Sequence, residues 1–403
     1  MKIEQLALSN YRGAHSLTLK FDPKLNVFFG VNGAGKSTVL DAIAIMLSWT
    51  VSRIRHAGAS GRPIAEIDIS NGTPLATIQL SCLFEQSALQ WKLVKGKKGY
   101  GLHDQRSQLS ELSDYTKQIQ SDFEAKTESF NLPLFVYYPV NRAVLDIPLR
   151  IKEKHSFDLF GAYDDALTSG ANFRTFFEWF REREDLENEN RKYKLEQELS
   201  LPHDNDLAQS IQFPDPQLET VRHALDQFLP SFQNFTVRRN PLRMEVTKEG
   251  KRLTVNQLSD GEKCLIALIG DLARRMSIAN PARTNPLEGD AVVLVDEIDL
   301  HLHPKWQRMV VPKLQQVFPN TQFIVSTHSP HVITHVKPEN LYLLKQSENG
   351  MTAERPIESY GKNVDRILED LMGLETTRPK QVFIDLDDIY KKIELGLIDE
   401  ARA

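Results

Sequence analysis

The stretch Gly30-Val31-Asn32-Gly33-Ala34-Gly35-Lys36-Ser37-Thr38 matches the pattern G-x-x-x-x-G-K-[ST]. The apolar run Leu25-Asn26-Val27-Phe28-Phe29 before it reads as a strand, and Val39 to Leu47 after it carries apolar residues at helical spacing. Strand, glycine loop and helix aim successive backbone N–H groups and the positive end of a helix dipole at one point, which favours a polyphosphate. In that arrangement Asn32, Gly33, Gly35 and Thr38 line the loop, Lys36 reaches the β- and γ-phosphates, and Ser37 holds Mg²⁺.

Composition limits what such a loop can belong to. With 403 residues the chain can bury one large core or two lobes. Its 41% hydrophobic content is ordinary, no run approaches the roughly 20 apolar residues needed to span a bilayer, and the N-terminus has no signal-peptide layout. Cys82 and Cys264 are the only cysteines, which excludes a disulfide framework or a cysteine metal site and makes a reducing cytoplasm the expected home. The net charge of −5 means that nucleic-acid contact would need local basic patches. Two such clusters are Lys92, Lys95, Lys97 and Lys98, and Arg238, Arg239 and Arg243.

Along the chain, Lys2 to Phe21 reads as two strands around Asn10-Tyr11-Arg12-Gly13, where Tyr11 and Arg12 either lie against the adenine and phosphates or form an ordinary turn. Ala65 to Ser70 and Thr77 to Phe84 alternate on either side of Asn71-Gly72, which predicts a hairpin, and a third strand follows near Gln90 to Val94. Leu102 to Phe130 reads as loop plus helix. The strand Leu132 to Tyr138 ends towards Asn141 and Arg142, which either reach the nucleotide edge or sit in a surface turn. Phe173, Phe176, Phe177 and Phe180 form an i, i+3, i+4, i+7 stripe that suits packing, and the charge-dense Arg181 to Glu198 suits a solvated helical face. A helix over Asn172 to Glu198 would be only about 40 Å long, a compact insertion rather than a coiled-coil arm.

The second half supplies three further motifs. Met244 to Val246 and Leu253 to Val255 flank Glu249-Gly250 as a hairpin. Leu258-Ser259-Asp260-Gly261-Glu262 then opens a helix, with Ser259 and Glu262 spaced as a capping box that can also serve an anion. Ala291 to Val295 is an unbroken apolar run, the pattern of a strand buried on both faces, and it ends in Asp296-Glu297. Ligands of open α/β sheets bind at that carboxyl edge. There Asp296 would support Mg²⁺ together with Ser37, and Glu297 would orient and deprotonate water. A further strand, Gln322 to Val325, ends at Ser326-Thr327-His328, and His328 is placed to donate to a γ-phosphate. His301 and His303 lack a third ligand at recognisable spacing, which favours a structural or subunit-contact role.

These four motifs, in this order, resemble the Walker A, signature, Walker B and switch-histidine motifs of ABC-type ATPases, in the branch that includes RecF, SMC and OLD-family proteins. The resemblance implies an α/β fold: a mixed sheet with a P-loop core, an antiparallel β subdomain, a helical insertion and a helical C-terminal tail. Asp260 and Glu262 stand where transporter ATPases have glycine and glutamine, which argues against transport. ATP and Mg²⁺ are the implied ligands. Two heads would pair head to tail, with higher oligomers open, so that ATP held by Lys36 and Ser37 of one is completed by Ser259 and Gly261 of the other.

The expected division is a Walker A lobe at 1–149, an insertion at 150–220, a lobe with signature, Walker B and switch histidine at 221–345, and a docking tail at 346–403. Asp385-Leu386-Asp387 has the letters of a Toprim nuclease pair. Val382, Leu386, Ile389 and Ile393 instead mark an amphipathic helix with those acids on its polar face, so no intrinsic nuclease is expected. Tyr360 to Leu368 and the helices after it resemble the tail of PtuA-type ATPases of Septu and retron-linked antiphage systems. That resemblance implies a separate HNH nuclease partner, retron RNA or DNA and reverse transcriptase as further partners, and no membrane. The residues from Leu397 to Ala403 read either as an exposed docking segment or as a helix cut short. The alternative function is a RecF-like repair ATPase that clamps duplex DNA.

Overall fold

The computed structural model describes residues 1–84, 87–99, 105–125, 130–140, 158–168, 173–199, 213–398 and 401. Asn141 and Arg142 lie outside the described residues.

The central sheet has six strands in the order β13-β12-β3-β11-β10-β6. These are β3 (Leu25–Phe29), β6 (Leu134–Tyr138), β10 (Ala291–Val295), β11 (Thr321–Ser326), β12 (Leu341–Ser347) and β13 (Gly350–Glu354). All are parallel except β13, which returns antiparallel beside β12. Every residue of β3, β6, β10 and β11 is buried, because helices or a second sheet cover both faces of a parallel sheet. Their apolar runs are the direct trace of that two-sided burial. The glycine loop follows β3 and leads into α1 (Lys36–Arg55), which packs against both this sheet and the next. By length and composition α1 is apolar enough to cross a membrane, but Val39, Leu40, Ile43 and Met46 are fully buried in the core.

A second, antiparallel sheet runs β2-β1-β4-β5, from β1 (Lys2–Tyr11), β2 (Ala14–Lys20), β4 (Leu75–Phe84) and β5 (Ser87–Gly96). Here the expected hairpin across Asn71-Gly72 does not form. Glu66–Asp68 is a turn of 3-10 helix, Asn71-Gly72 is a turn with no strand on its near side, and β4 pairs with β1 and β5 instead. Ile69 makes a lone bridge to Tyr11, so alternation in that stretch reflects one contact at the end of β1 rather than a ladder. The helix expected between Leu102 and Phe130 is α2 (Ser110–Ala125).

The remaining layer combines α3 (Phe173–Leu199), α4 (Pro216–Phe228), a three-stranded sheet and α5 (Asp260–Ala279). The sheet comprises β7 (Phe232–Arg239), β8 (Leu242–Lys248) and β9 (Lys251–Thr254). Phe176, Phe177 and Phe180 are fully buried, so the stripe is packing surface. The charge run after it is not simply solvated. Glu184 and Glu187 turn inward, accepting from the Val237 amide at 3.0 Å and the Asp215 amide at 3.1 Å and pairing with Arg239 and Arg222. A helix in a multi-element layer has more than one buried edge, and carboxylates there survive only when each is hydrogen-bonded.

Close approach fixes how α3 meets α5. A β-carbon on Gly270 of α5 would stand 2.5 Å from the ring of Phe176. Gly270→Val should therefore lower stability by about 1–3 kcal/mol, the usual cost of overpacking a filled core. Chemical denaturation of the full chain reads this directly.

Candidate nucleotide site

One cleft at the carboxyl ends of the central strands is lined by Asn32, Gly33, Gly35, Lys36, Ser37, Thr38, Glu297 and His328. The strand order makes this convergence possible. β11 lies between β3 and β10, so the glycine loop, the acids after β10 and the Ser326-Thr327-His328 segment after β11 emerge side by side. Gly35 opens α1 in the left-handed region at φ 98°, and a β-carbon there would meet the sulfur of Met351 at 2.0 Å. Only glycine satisfies both demands. The Lys36 ammonium curls back to donate to the carbonyls of Gly30 at 2.9 Å and Val31 at 3.1 Å. Burial lowers its pKa, while Asp296, Glu297 and Asp299 pull the other way.

The Ser326 hydroxyl links the Asp296 carboxylate to the Glu297 backbone. Ser326 Oγ donates to Asp296 Oδ1 and accepts from the Glu297 amide at 2.8 Å, and the Asp296 amide donates to the Tyr138 carbonyl of β6 at 2.8 Å. Asp296 is 2% exposed. Glu297 sits at φ 48°, a left-handed conformation that costs a non-glycine residue about 1–2 kcal/mol. The hydrogen bonds that the Glu297 amide donates to the Ser326 hydroxyl and the Ile298 amide donates to the Ser326 carbonyl at 2.9 Å hold the kink. His328 Nε2 lies 3.9 Å from Glu297 Oε1.

Asp299, which the sequence reading did not single out, accepts from the Thr327 hydroxyl and from the His328 amide at 3.3 Å. It ties the segment after β10 to the segment after β11. Ser329 extends the same brace by donating to Gln307 Oε1 at 2.7 Å.

Other expected site residues stand elsewhere. Arg12 is not in the cleft: its guanidinium pairs with Asp41 of α1 at 2.5 Å and with Asp68 at 2.9 Å. Tyr11 is fully buried with its hydroxyl 3.4 Å from Asp41, so its ring is not free to stack on a base. Ser259 and Gly261 are also outside the cleft of their own chain. Ser259 caps α5 in a complete capping box with Glu262. Gly261 has a local reason to be glycine, because a β-carbon there would meet the His301 carbonyl at 2.4 Å. His303 caps the helix α6 (Pro304–Val317) by accepting from the Lys305 amide at 3.3 Å. Among the described residues no group of three or more His, Cys, Asp or Glu side chains could hold a metal ion by itself.

A glycine loop between a buried strand and a helix, facing an acid pair and a histidine across a parallel sheet, defines a P-loop ATPase with an ABC-type head. More particularly, the chain belongs to the family described as AAA ATPase domain, whose profile matches residues 1–333. The protein named "Retron Ec83 probable ATPase" of Escherichia coli is 32% identical over 98% of this chain and 80% of its own length. The Septu protein PtuA of Bacillus thuringiensis is 25% identical over 97% of this chain and 89% of its own. Among solved structures, an SMC head domain from Thermotoga maritima matches 89% of this chain and all of its own at 13% identity, with a TM-score of 0.49.

The bridging hydroxyl gives a test of the site. Ser326→Ala should lower ATP turnover about tenfold or more with little change in KM, because it loosens the acids without touching the glycine loop. Steady-state phosphate release gives both constants.

Proposed function

We propose that the chain is a Mg²⁺-dependent ATPase whose nucleotide state switches an antiphage defence complex, controlling a separate effector nuclease. What carries this reading is the single cleft that joins the glycine loop to Glu297 and His328. In it Lys36 exchanges the Gly30 and Val31 carbonyls for phosphate oxygens. Glu297 orients and deprotonates the attacking water, and His328 donates to the γ-phosphate. Ser37 and Asp296 offer hard oxygen donors of the kind that suit Mg²⁺, and such an ion would be completed by substrate phosphates. Bound there, Mg²⁺ would neutralise charge on the phosphates. Arg12 joins the site only by giving up Asp41 or Asp68.

Ser259 and Gly261 lie outside their own chain's cleft, which fits the role in trans that we assign them: two heads pair head to tail and each signature turn closes the other's ATP. Hydrolysis then loosens the pair. The names of the retron and Septu relatives support a defence complex. We place it in the cytoplasm, with an HNH-type nuclease and, in a retron setting, RNA or DNA and reverse transcriptase as partners. The expected boundaries at 220 and 345 fall inside α4 (Pro216–Phe228) and β12 (Leu341–Ser347), so the division we propose runs at the ends of those elements instead, and the boundary at 149 lies outside the described residues. The tail helix α7 (Lys380–Glu394) has no buried residue, and its Val382 and Ile393 are 44% and 50% exposed, which suits docking. Asp387 pairs with Lys391 on the helix surface, as a solvated acid does.

The RecF-like reading, a clamp on duplex DNA, loses one of its two basic clusters. Arg238 and Arg243 pair with Glu245, and Arg239 pairs with Glu184 and Asp185. Lys92, Lys95, Lys97 and Lys98 are left, and ATP-dependent DNA retention that falls steeply with salt would revive it.

Glu297→Gln is expected to bind ATP and accumulate as a dimer without turnover, whereas Lys36→Ala loses nucleotide affinity. Sedimentation with and without ATP reads the first; parental hydrolysis by Glu297→Gln would show the base to be misassigned. Ser259→Arg should bind ATP as a monomer yet not hydrolyse it. Co-purification with products of neighbouring genes should bring down a nuclease, and its consistent absence would count against the switch.

A further inference from the structure

The signature turn is acidic although the ligand proposed for it is a polyphosphate. Asp260 and Glu262 occupy the first turn of α5, where carboxylates suit the helix dipole but repel an incoming anion. Each has a cation. Lys263 Nζ stands 3.1 Å from Asp260, one turn along, in an exposed pair. Glu262 is held differently, by Lys248 from the end of β8, at 2.6 Å, in a pair whose carboxylate side chain is only 13% exposed. Lys248 is itself steadied with its ammonium 5.5 Å over the ring of Phe232.

The division of bonds at Glu262 is informative. Oε1 takes Lys248, and Oε2 takes the Ser259 amide at 3.0 Å and the Ser259 hydroxyl at 2.9 Å. The one proton that Ser259 can give to a phosphate is therefore committed to Glu262. With Lys248 and the Ser259 amide in place, the carboxylate stays satisfied when that hydroxyl rotates away. Burial raises the Glu262 pKa, and the bonds from Lys248 and Ser259 outweigh it and bring the carboxyl below its usual range.

We infer that Lys248 is a positioning residue for the trans ATP contact: it cancels the Glu262 charge and frees the Ser259 hydroxyl to meet the triphosphate held by the partner head. This rests on the head-pairing reading above. It also gives the β8–β9 hairpin a task beyond packing, since Lys248 and Lys251 bracket its tip.

The test uses the full chain in the Glu297→Gln background, with dimer formation followed by sedimentation as ATP is titrated. Lys248→Met keeps an unbranched side chain and removes the charge. It should raise the ATP needed for half-maximal dimer about tenfold, the size of a typical coupling between sites. ATP affinity of the monomer should stay unchanged in a Lys36-dependent assay run below the dimerising concentration. Lys248→Arg should restore dimerisation, and so should Lys248→Met combined with Glu262→Gln, which removes the stranded negative charge. Rescue by Glu262→Gln separates charge balance from a merely structural role. Dimerisation of Lys248→Met at the parental ATP concentration, or failure of Glu262→Gln to rescue it, overturns the assignment while head pairing stands. If Glu297→Gln itself stays monomeric at every ATP concentration, head pairing falls and the role of Lys248 with it.

Discussion

The Ser326 hydroxyl is the constraint on which the nucleotide cleft depends. One O–H group sits between a buried carboxylate and the amide of a residue in a strained backbone conformation, and serves both. Its position follows from the strand order. β11 is inserted between the strand that leads into the glycine loop and the strand that delivers the acids, so its last residue, Ser326, comes to lie beside the segment that carries them. Hydrogen bonds to a buried charge are the strong ones, and an unmet buried carboxylate is costly. The geometry of Asp296 and Glu297 is thus set by tertiary placement, not by their own local sequence.

Legibility in the sequence followed the same line. Buried parallel strands announce themselves by unbroken apolar runs, so β3, β6, β10 and β11 could be read directly, and so could the glycine loop that β3 feeds. The capping box at Ser259 is a local device and was equally readable. What escaped depends on distant partners. The Asn71-Gly72 turn has the chemistry of a hairpin, but strand pairing is decided by β1, some sixty residues earlier in the chain, which takes β4 instead. Asp299, Ser326 and Gln307 look like ordinary turn and helix polar residues until the segments after β10 and β11 lie side by side. Glu184 and Glu187 sit in a run of charges whose inward edge only the neighbouring α4 and β7 define.

Arg12 and Tyr11 illustrate a different limit. Their place near the start of the chain, beside a turn, fits a nucleotide contact, yet the fold gives both of them to Asp41 of α1. Arg62 pairs with the same carboxylate. This cluster fastens the antiparallel sheet to the helix that follows the glycine loop. Any movement of Arg12 towards a phosphate would therefore also be felt by that fastening.

The contact between Met351 and Gly35 reaches further than its size suggests. The family profile ends at residue 333, but the sulfur that packs on the glycine loop belongs to the β12–β13 hairpin, beyond that limit. β12 is also the hydrogen-bonded neighbour of β3 on its outer side. A recombinant fragment trimmed to the recognisable ATPase domain would expose the edge of the strand that carries the loop and remove the loop's backing. The smallest faithful version of this head extends at least through Glu354.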